Sequence, residues 1–147
     1  MPALRLETVM PIGALAERTG VKVETIRYYE QVGLLPPPER SEGNQRRYGL
    51  RHVERLAFVK HARDLGFAVE AIRTLLKLSD NPALACDEAH AISVAHLADV
   101  RHKIARLRSL EMELERIAAT CAGGVAACDC AIIEALADHS QCRHAAH

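Results

Sequence analysis

The sequence predicts a mostly α fold, in which a winged helix-turn-helix is followed by a long helix with a coiled-coil-like seam. Two short helical segments are joined by a turn that contains Gly20. A turn signal at Gly43-Asn44 separates two short extended pieces, which predicts a β-hairpin wing. From Ala83 to Thr120 there is no proline or glycine, and apolar residues recur at three- and four-residue spacing.

The individual elements follow from local signals. Ile12, Leu15 and Ala16 have helical spacing, and Thr19-Gly20 ends that helix. Three consecutive prolines at 36–38 exclude a helix there. The other predicted helices are about Val23–Val32, His52–Leu65, Ala68–Leu78, the long helix over 83–120 and a short terminal helix over Ala131–Ala137.

We expect five segments along the chain, with a boundary at the breaker Ser79-Asp80-Asn81-Pro82. The long helix presents one apolar seam, and a single exposed seam of that length requires a partner, which predicts a homodimer. The seam residues are Leu97, Val100, Ile104, Leu107, Leu110, Leu114 and Ile117. The segments are a loose extension (1–9), a DNA-binding domain (10–80), a dimerisation helix (81–120), a metal-binding loop with a short helix (121–137) and a flexible His/Cys tail (138–147).

The charge is unevenly distributed along the chain. The formal net charge is zero, but residues 1–79 carry 13 Lys/Arg against 9 Asp/Glu, and residues 80–147 carry 6 against 10. A basic N-terminal part and an acidic C-terminal part indicate that the N-terminal part binds a polyanion. Aromatic residues make up only 3% of the chain, so extra burial from a partner chain is expected.

The cysteines predict a metal or redox site. The sequence has neither a signal-peptide pattern nor an apolar run long enough for a membrane span, and we expect a cytoplasmic protein. Thiols stay reduced in that compartment, so clustered cysteines indicate metal or redox chemistry and not structural disulfides. The five cysteines are Cys86, Cys121, Cys128, Cys130 and Cys142.

Basic and hydroxyl-bearing side chains on the second helix and the wing are candidates for DNA contacts. Arginine reads guanine edges or pairs with phosphate, and tyrosine and threonine hydroxyls also reach phosphate. The alternative is a solvated charged face beside packed tyrosines. The candidates are Thr25, Arg27 and Tyr29 on the helix and Arg40, Arg46, Arg47 and Tyr48 on the wing.

Several motifs carry a resemblance to the MerR family of bacterial regulators over about residues 10–136. They are Pro11-Ile-Gly-Ala-Leu-Ala-Glu-Arg-Thr-Gly-Val, Glu24-Thr-Ile-Arg-Tyr-Tyr-Glu-Gln-Val-Gly-Leu-Leu, Asn44-Gln-Arg-Arg-Tyr and His61-Ala-Arg-Asp-Leu-Gly-Phe. The resemblance implies a long antiparallel dimerisation helix, DNA contacts from Arg27, Tyr29, Arg40, Arg46 and Tyr48, and a phosphate contact from Arg63. Lys22 departs from the Ser or Thr that often caps this helix in relatives; lysine cannot cap, but it can bind phosphate.

Cys86 and Cys121 bracket the long helix. They are 35 residues apart, which at about 1.5 Å per residue is roughly 50 Å, so they cannot meet within one chain. If two long helices pair antiparallel, Cys86 of one chain lies beside Cys121 of the other, and Cys128 and Cys130 fold over the same point. This predicts two equivalent sites per dimer. Thiolates favour soft or borderline ions such as zinc, cadmium, lead, mercury and cuprous copper.

The family resemblance narrows the metal to a soft divalent ion. Divalent-metal sensors of the family carry a cysteine at the position of Cys86. The spacing of Cys86, Cys121 and Cys130 resembles mercury and lead sensors, whereas Cys128 resembles the spacing in cadmium sensors. Four thiolates suit zinc or cadmium and three suit mercury or lead, so the metal stays open. His90, one turn beyond Cys86, is a further candidate ligand, and the tail residues His139, Cys142, His144 and His147 are candidates for a weak second site.

The resemblance implies a transcription regulator that distorts its promoter when metal binds, so that RNA polymerase can engage it and express heavy-metal resistance or efflux genes. Two alternatives remain open: a redox sensor with an iron–sulfur cluster, and a metal-buffering protein. No Ser/His/Asp arrangement, carboxylate pair or phosphate loop occurs at a useful spacing, and we predict that the protein is not an enzyme. His52, His61, His96 and His102 are expected at the surface.

Overall fold

The structure is a computed structural model that describes residues 9–121, 130–138 and 140. These residues form six α-helices and one two-stranded antiparallel sheet, which confirms the predicted mostly α fold. Packing divides the chain into two compact units, residues 1–92 and residues 93–147. The elements are α1 (Ile12–Thr19), α2 (Val23–Gln31), β1 (Glu39–Arg40), β2 (Arg46–Arg47), α3 (Leu50–Asp64), α4 (Val69–Asp80), α5 (Asp87–Ala119) and α6 (Ala131–Ala137).

The helix-turn-helix consists of α1 and α2, as the sequence predicts. The chain leaves α1 at Gly20, whose φ of 68° lies in the left-handed region that glycine adopts without a steric penalty. The Gly20 N–H donates to the carbonyl of Ala16 at 2.9 Å, which satisfies one of the last helical carbonyls. This tight turn brings α2 against α1 within a few residues.

The predicted wing is the β1–β2 hairpin. Glu39 pairs with Arg47 and Arg40 with Arg46. Asn44 has a φ of 61°, and its N–H donates to the Ser41 carbonyl at 2.8 Å, which closes the turn. Just after β2, residue 48 exchanges two backbone hydrogen bonds of 2.9 Å with Met10, so the start of the described chain holds the base of the wing.

One hydrophobic core holds the first unit together. It is built from apolar side chains on α1, α2, α3 and α4 and on the segments between them, and burial of this kind stabilises the fold by removing apolar surface from water. The buried members are Met10, Leu15, Val21, Ile26, Tyr29, Leu34, Leu35, Tyr48, Leu56, Val59, Ala62, Ile72 and Leu76.

Three boundaries differ from the sequence prediction by two or more residues, because turns are longer or shorter than local signals suggest. α4 continues to Asp80 and is capped at Asn81. α5 begins at Asp87 and not at residue 83, since a turn intervenes in which the Leu84 N–H donates to the Asn81 carbonyl at 3.0 Å. α3 begins at Leu50, so that the first turn of the helix includes His52 and directs it inward.

His52 corrects the expectation of a surface histidine. It is 1% exposed, and its Nδ1 accepts a hydrogen bond from the Gly49 N–H at 3.0 Å. The imidazole thereby takes the role that a glutamate or glutamine at the third helical position has in a capping box, where it accepts the N–H of the N-cap residue. Its ring also packs edge-on against Tyr48, with ring centroids 5.3 Å apart.

The second unit contains most of α5, followed by α6. Along α5 the predicted seam is largely exposed, including Leu97 at 46%, Ile104 at 43% and Leu107 at 65%. Ile117, near the end of the helix, is buried. No helix among the described residues is long and apolar enough to cross a membrane.

Candidate DNA-binding surface and metal-ligand cysteines

Four of the predicted DNA-contacting residues, Lys22, Thr25, Arg27 and Tyr29, lie on α2 or at its start. Lys22 is the N-cap residue and makes no capping hydrogen bond through its side chain, as expected for lysine. Lys22 and Arg27 are exposed and Thr25 is half-buried. Because Ile26 points into the core at 0% exposure, the neighbouring positions 25 and 27 lie toward the surface of the helix.

Three arginines from different elements meet at one concave surface. Arg27 of α2, Arg40 of β1 and Arg46 of β2 line a cavity of about 480 Å³, together with Glu30, Gln31, Pro37 and Pro38. The hairpin thus brings residues 40 and 46 beside the helix although they lie 13 and 19 positions beyond residue 27. A cluster of guanidinium groups at the junction of a helix and a wing is suited to phosphate and guanine edges.

The wing orders one of these side chains through its own turn. Nη1 of Arg40 donates to the Asn44 carbonyl at 3.2 Å and to the Asn44 Oδ1 at 3.1 Å. Arg47 is half-buried on the other side of β2. Arg63, at the end of α3, is exposed, and its Nη1 donates to the Phe67 carbonyl at 2.9 Å.

The two predicted tyrosines are far less accessible than the arginines. Tyr48 is 0% exposed and its hydroxyl donates to Glu30 Oε1, so it has no surface to offer DNA, which corrects the prediction of a direct contact. Burial, together with the hydrogen bond to Glu30, raises the pKa of Tyr48 to about 12. Tyr29 is 7% exposed, which restricts any contact with DNA to the small exposed part of its side chain.

Glu30 is a residue of this surface that the sequence analysis missed. Its Oε1 accepts from Tyr48, and its Oε2 lies 3.6 Å from Nη1 of Arg46. The side chain of Glu30 is 12% exposed and that of Arg46 is 42% exposed. No local signal identifies this contact, because a glutamate at the end of a short helix is usually solvated and the partners lie 16 and 18 residues away.

In the second unit, the structure brings Cys121 and Cys130 together. Cys121 lies just after α5, and Cys130 is the N-cap residue of α6. The backbone N–H groups of Ile133 and then Ile132 lower the pKa of the Cys130 thiol, and a hydrogen bond with the Cys121 side chain adds to that effect. A thiol whose thiolate is favoured is also a better ligand for a soft metal.

The remaining predicted ligands are Cys86 with its neighbour His90, and residues that lie outside the described part of the chain. Cys86 is exposed immediately before α5, and its carbonyl accepts the His90 N–H at 2.9 Å, so it lies at the N-terminal end of the long helix. Cys128 and the tail residues His139, Cys142, His144 and His147 lie outside the described residues. Within residues 9–121, 130–138 and 140 no three potential ligands cluster. The meeting of Cys86 with Cys121 of a partner chain stays a prediction.

Comparisons with known proteins agree with this architecture. The model of the MerR HTH family regulatory proteins matches residues 10–79, and the model described as MerR, DNA binding matches residues 53–117. A heavy metal-dependent transcription regulator from Rhizobium meliloti (strain 1021) is 40% identical over 131 residues, which cover 89% of this chain and 88% of the relative.

Two solved structures of similar proteins contain metal ions. The transcription regulator PbrR691 from Ralstonia metallidurans CH34, in complex with lead(II), is 42% identical, with a TM-score of 0.78 over 86% of this chain and 98% of that one. The regulator MerR from Bacillus megaterium MB1, in complex with mercury(II), is 32% identical, with a TM-score of 0.66 over 88% of this chain and 100% of the other.

Proposed function

We propose a specific role for this chain, which belongs to the MerR family and is a metal-responsive transcription regulator and not an enzyme. It acts as a cytoplasmic homodimer on promoters of heavy-metal resistance or efflux genes. The effector is a soft divalent ion: zinc, cadmium, lead or mercury. The observation that carries this proposal is the contact between Cys121 and Cys130 just after α5. The same chain carries a cluster of arginines on α2 and the wing.

The proposed DNA interface is the concave surface between α2 and the wing. Arg27 enters the major groove with α2, and Arg40 and Arg46 hold the flanking backbone. The logarithm of the binding constant falls linearly with the logarithm of the salt concentration, and each arginine that neutralises a phosphate makes this slope steeper by about 0.9. Further phosphate contacts come from exposed or half-buried residues around this surface: Lys22, Thr25, Arg47 and Arg63.

The proposed dimer forms through α5. α5 is a 33-residue helix with an exposed apolar face, on which Leu97, Ile104, Leu107 and Leu114 are 43–65% exposed. Exposure of such a face to water favours association with a second copy. Antiparallel pairing of two such helices buries these side chains against their counterparts. It also places Cys86 of one chain beside Cys121 of the other, whereas within one chain the length of the helix keeps these two residues apart.

The donor set fits a soft divalent ion. Cys121 and Cys130 are adjacent, and Cys130 has a lowered pKa. Cys86 of the partner chain and Cys128 complete the proposed set of ligands, with His90 as an additional candidate. Such an ion supplies bonds between thiolates of two chains, and so favours whichever arrangement of the dimer brings these sulfurs together.

The proposed output is activation through DNA shape. The dimer stays on the promoter, and the arrangement favoured by the effector bends and untwists the spacer so that RNA polymerase engages both promoter elements. This requires two states of the dimer with different affinities for the effector.

The test is a competitive titration of the fully reduced protein with zinc, cadmium, lead and mercury. We expect two ions per dimer, with binding weakened at least 100-fold in Cys86→Ser and in Cys121→Ser. Cys142→Ser in the tail is the matched control: it removes a candidate ligand of the weak second site and should leave the affinity of the two tight sites unchanged. Metal binding that stays equally tight in Cys86→Ser would contradict the cross-chain site. A brown protein that absorbs near 420 nm would indicate an iron–sulfur cluster.

A parallel experiment tests the DNA interface with the same protein. Arg27→Ala and Arg46→Ala should each weaken promoter binding about 10-fold and lower the salt slope by about 0.9. Lys77→Ala removes an exposed charge from α4 and is the matched control. Metal binding without promoter binding would favour a buffering protein and refute the regulator.

A further inference from the structure

The carboxylate of Glu30 connects the recognition helix α2 to the wing through two different oxygens. Oε1 accepts the hydrogen bond from Tyr48, and Oε2 faces Nη1 of Arg46 at 3.6 Å. The carboxylate is largely withdrawn from water, with the side chain 12% exposed. It lines the same cavity as Arg27, Arg40 and Arg46, where a negative charge should by itself repel DNA.

We propose that Glu30 is a positioning residue for promoter binding, which holds the wing arginine Arg46 in the orientation that meets DNA. This proposal rests on the proposed function, because it presumes that Arg46 contacts the promoter. It assigns to a buried acidic residue a favourable effect on binding to a polyanion.

The hydroxyl that orients Glu30 is itself immobile. Tyr48 is fully buried, its backbone exchanges two hydrogen bonds of 2.9 Å with Met10, and its ring packs against His52. A carboxylate that accepts from such a fixed donor has one preferred orientation, so its second oxygen presents a fixed acceptor to Arg46.

Ordering of Arg46 before DNA arrives reduces the entropy lost on binding. A free arginine side chain samples many rotamers, and immobilising it on a phosphate opposes association. The ion pair with Glu30 restricts these rotamers in the free protein, while 42% of the Arg46 side chain stays exposed for a second partner. Arginine has five N–H donors, so one guanidinium can keep Glu30 and also bind a phosphate.

The decisive variant is Glu30→Gln, because glutamine keeps an oxygen for the Tyr48 hydroxyl and removes only the charge. We expect promoter affinity to fall about 5- to 20-fold and the salt slope to fall by up to about 0.9, since Arg46 no longer reaches its phosphate in the same orientation. The matched control is Glu39→Gln, on the same hairpin, whose side chain is 69% exposed and lies 4.0 Å from Arg51. Its affinity should stay equal or rise slightly, because it loses only repulsion.

A double-mutant cycle separates positioning from a general structural role. If Glu30 acts through Arg46, then Glu30→Gln should have no further effect in an Arg46→Ala background. Tyr48→Phe removes the orienting hydroxyl without changing any charge at neutral pH; it should weaken binding in the same direction and should also lose its effect in Arg46→Ala. This second variant decides the matter if Glu30→Gln does not fold.

The outcomes distinguish this inference from the function on which it rests. If Arg46→Ala binds the promoter as tightly as the wild type, the proposed DNA contact fails. If Arg46→Ala weakens binding but Glu30→Gln binds equally or more tightly, or if the two effects add, the positioning role of Glu30 is refuted.

Discussion

The two units of the chain bury their apolar residues very differently. The first unit contains a closed core, in which Leu15, Ile26, Leu34 and Ile72 are 0% exposed. In the described part of the second unit, the only buried residues are Glu113, Ile117 and Ala135. The DNA-binding unit therefore carries its own stability, whereas the long helix displays an apolar face that the described residues do not cover.

The largest expected effect tests the core of the first unit. Leu56→Ala on α3 removes a side chain that is 0% exposed, and it should lower the free energy of unfolding by about 2–5 kcal/mol. Leu65→Ala is the control, because Leu65 is 55% exposed and its loss should cost less than about 1 kcal/mol. Denaturant unfolding followed by circular dichroism measures both, and equal effects would contradict a closed core.

The next effect tests the apolar face of the second unit. Leu107→Glu places a charge on a seam residue that is 65% exposed, and if α5 pairs with a second copy, the dimer should weaken on the order of 10- to 100-fold. Sedimentation equilibrium measures the dissociation constant. Ala105→Glu, about 160° around the helix from residue 107, is the matched control. An unchanged dimer in Leu107→Glu would place the interface elsewhere.

A smaller effect tests polar contributions to the first unit. Nε of Arg55 donates to the Leu34 carbonyl at 3.0 Å, and its Nη1 donates to Asp80. Arg55→Ala should lower the free energy of unfolding by about 1–2 kcal/mol, because it leaves a carbonyl and a carboxylate without this donor. The exposed pair Lys60–Asp64 is the control, and Lys60→Ala should change stability by less than about 0.5 kcal/mol. Thermal unfolding that ranks the two variants equally would contradict this assignment.

The smallest effect concerns the reactivity of a thiol in the second unit. The amides at the start of α6 lower the pKa of Cys130, so a larger fraction of it is thiolate at neutral pH. In a variant with Cys130 as the sole cysteine, alkylation should be about 2- to 10-fold faster at pH 7 than for a cysteine in an unstructured peptide. The rate should level off at a lower pH than in the peptide. A profile that coincides with the peptide's would exclude the effect of these amides.

Much of the fold follows from local sequence signals. Gly20 and Gly33 end α1 and α2 near the predicted residues, and both have a positive φ. α6 has the predicted bounds, Ala131–Ala137, because the residues after Cys130 are apolar apart from Glu134 and include no glycine or proline. α5 begins four residues later than the sequence predicts, since the turn that contains Pro82 extends to Leu84.

The candidate site was only partly predictable. The sequence singles out the arginines of α2 and the wing by their charge and by the motifs that resemble the MerR family, since basic residues alone are equally typical of a solvated face. It does not distinguish them from Tyr48, and it predicts His52 at the surface, although both residues lie in the core. Burial depends on contacts between distant segments, and a polar aromatic side chain that finds a partner can lie inside as readily as outside.

The helical architecture, the wing and the long apolar seam follow from the sequence alone, because periodicity and turn residues set them. The cysteines by their chemistry favour soft metals. The sequence predicts that Cys130 folds back toward Cys121, and the two side chains do form a hydrogen bond. Only the packing of the elements places Tyr48 and Arg46 at the two different oxygens of Glu30. These contacts join residues 18 and 16 positions apart in different parts of the fold. Their geometry is set by how the elements pack, and no local pattern encodes it.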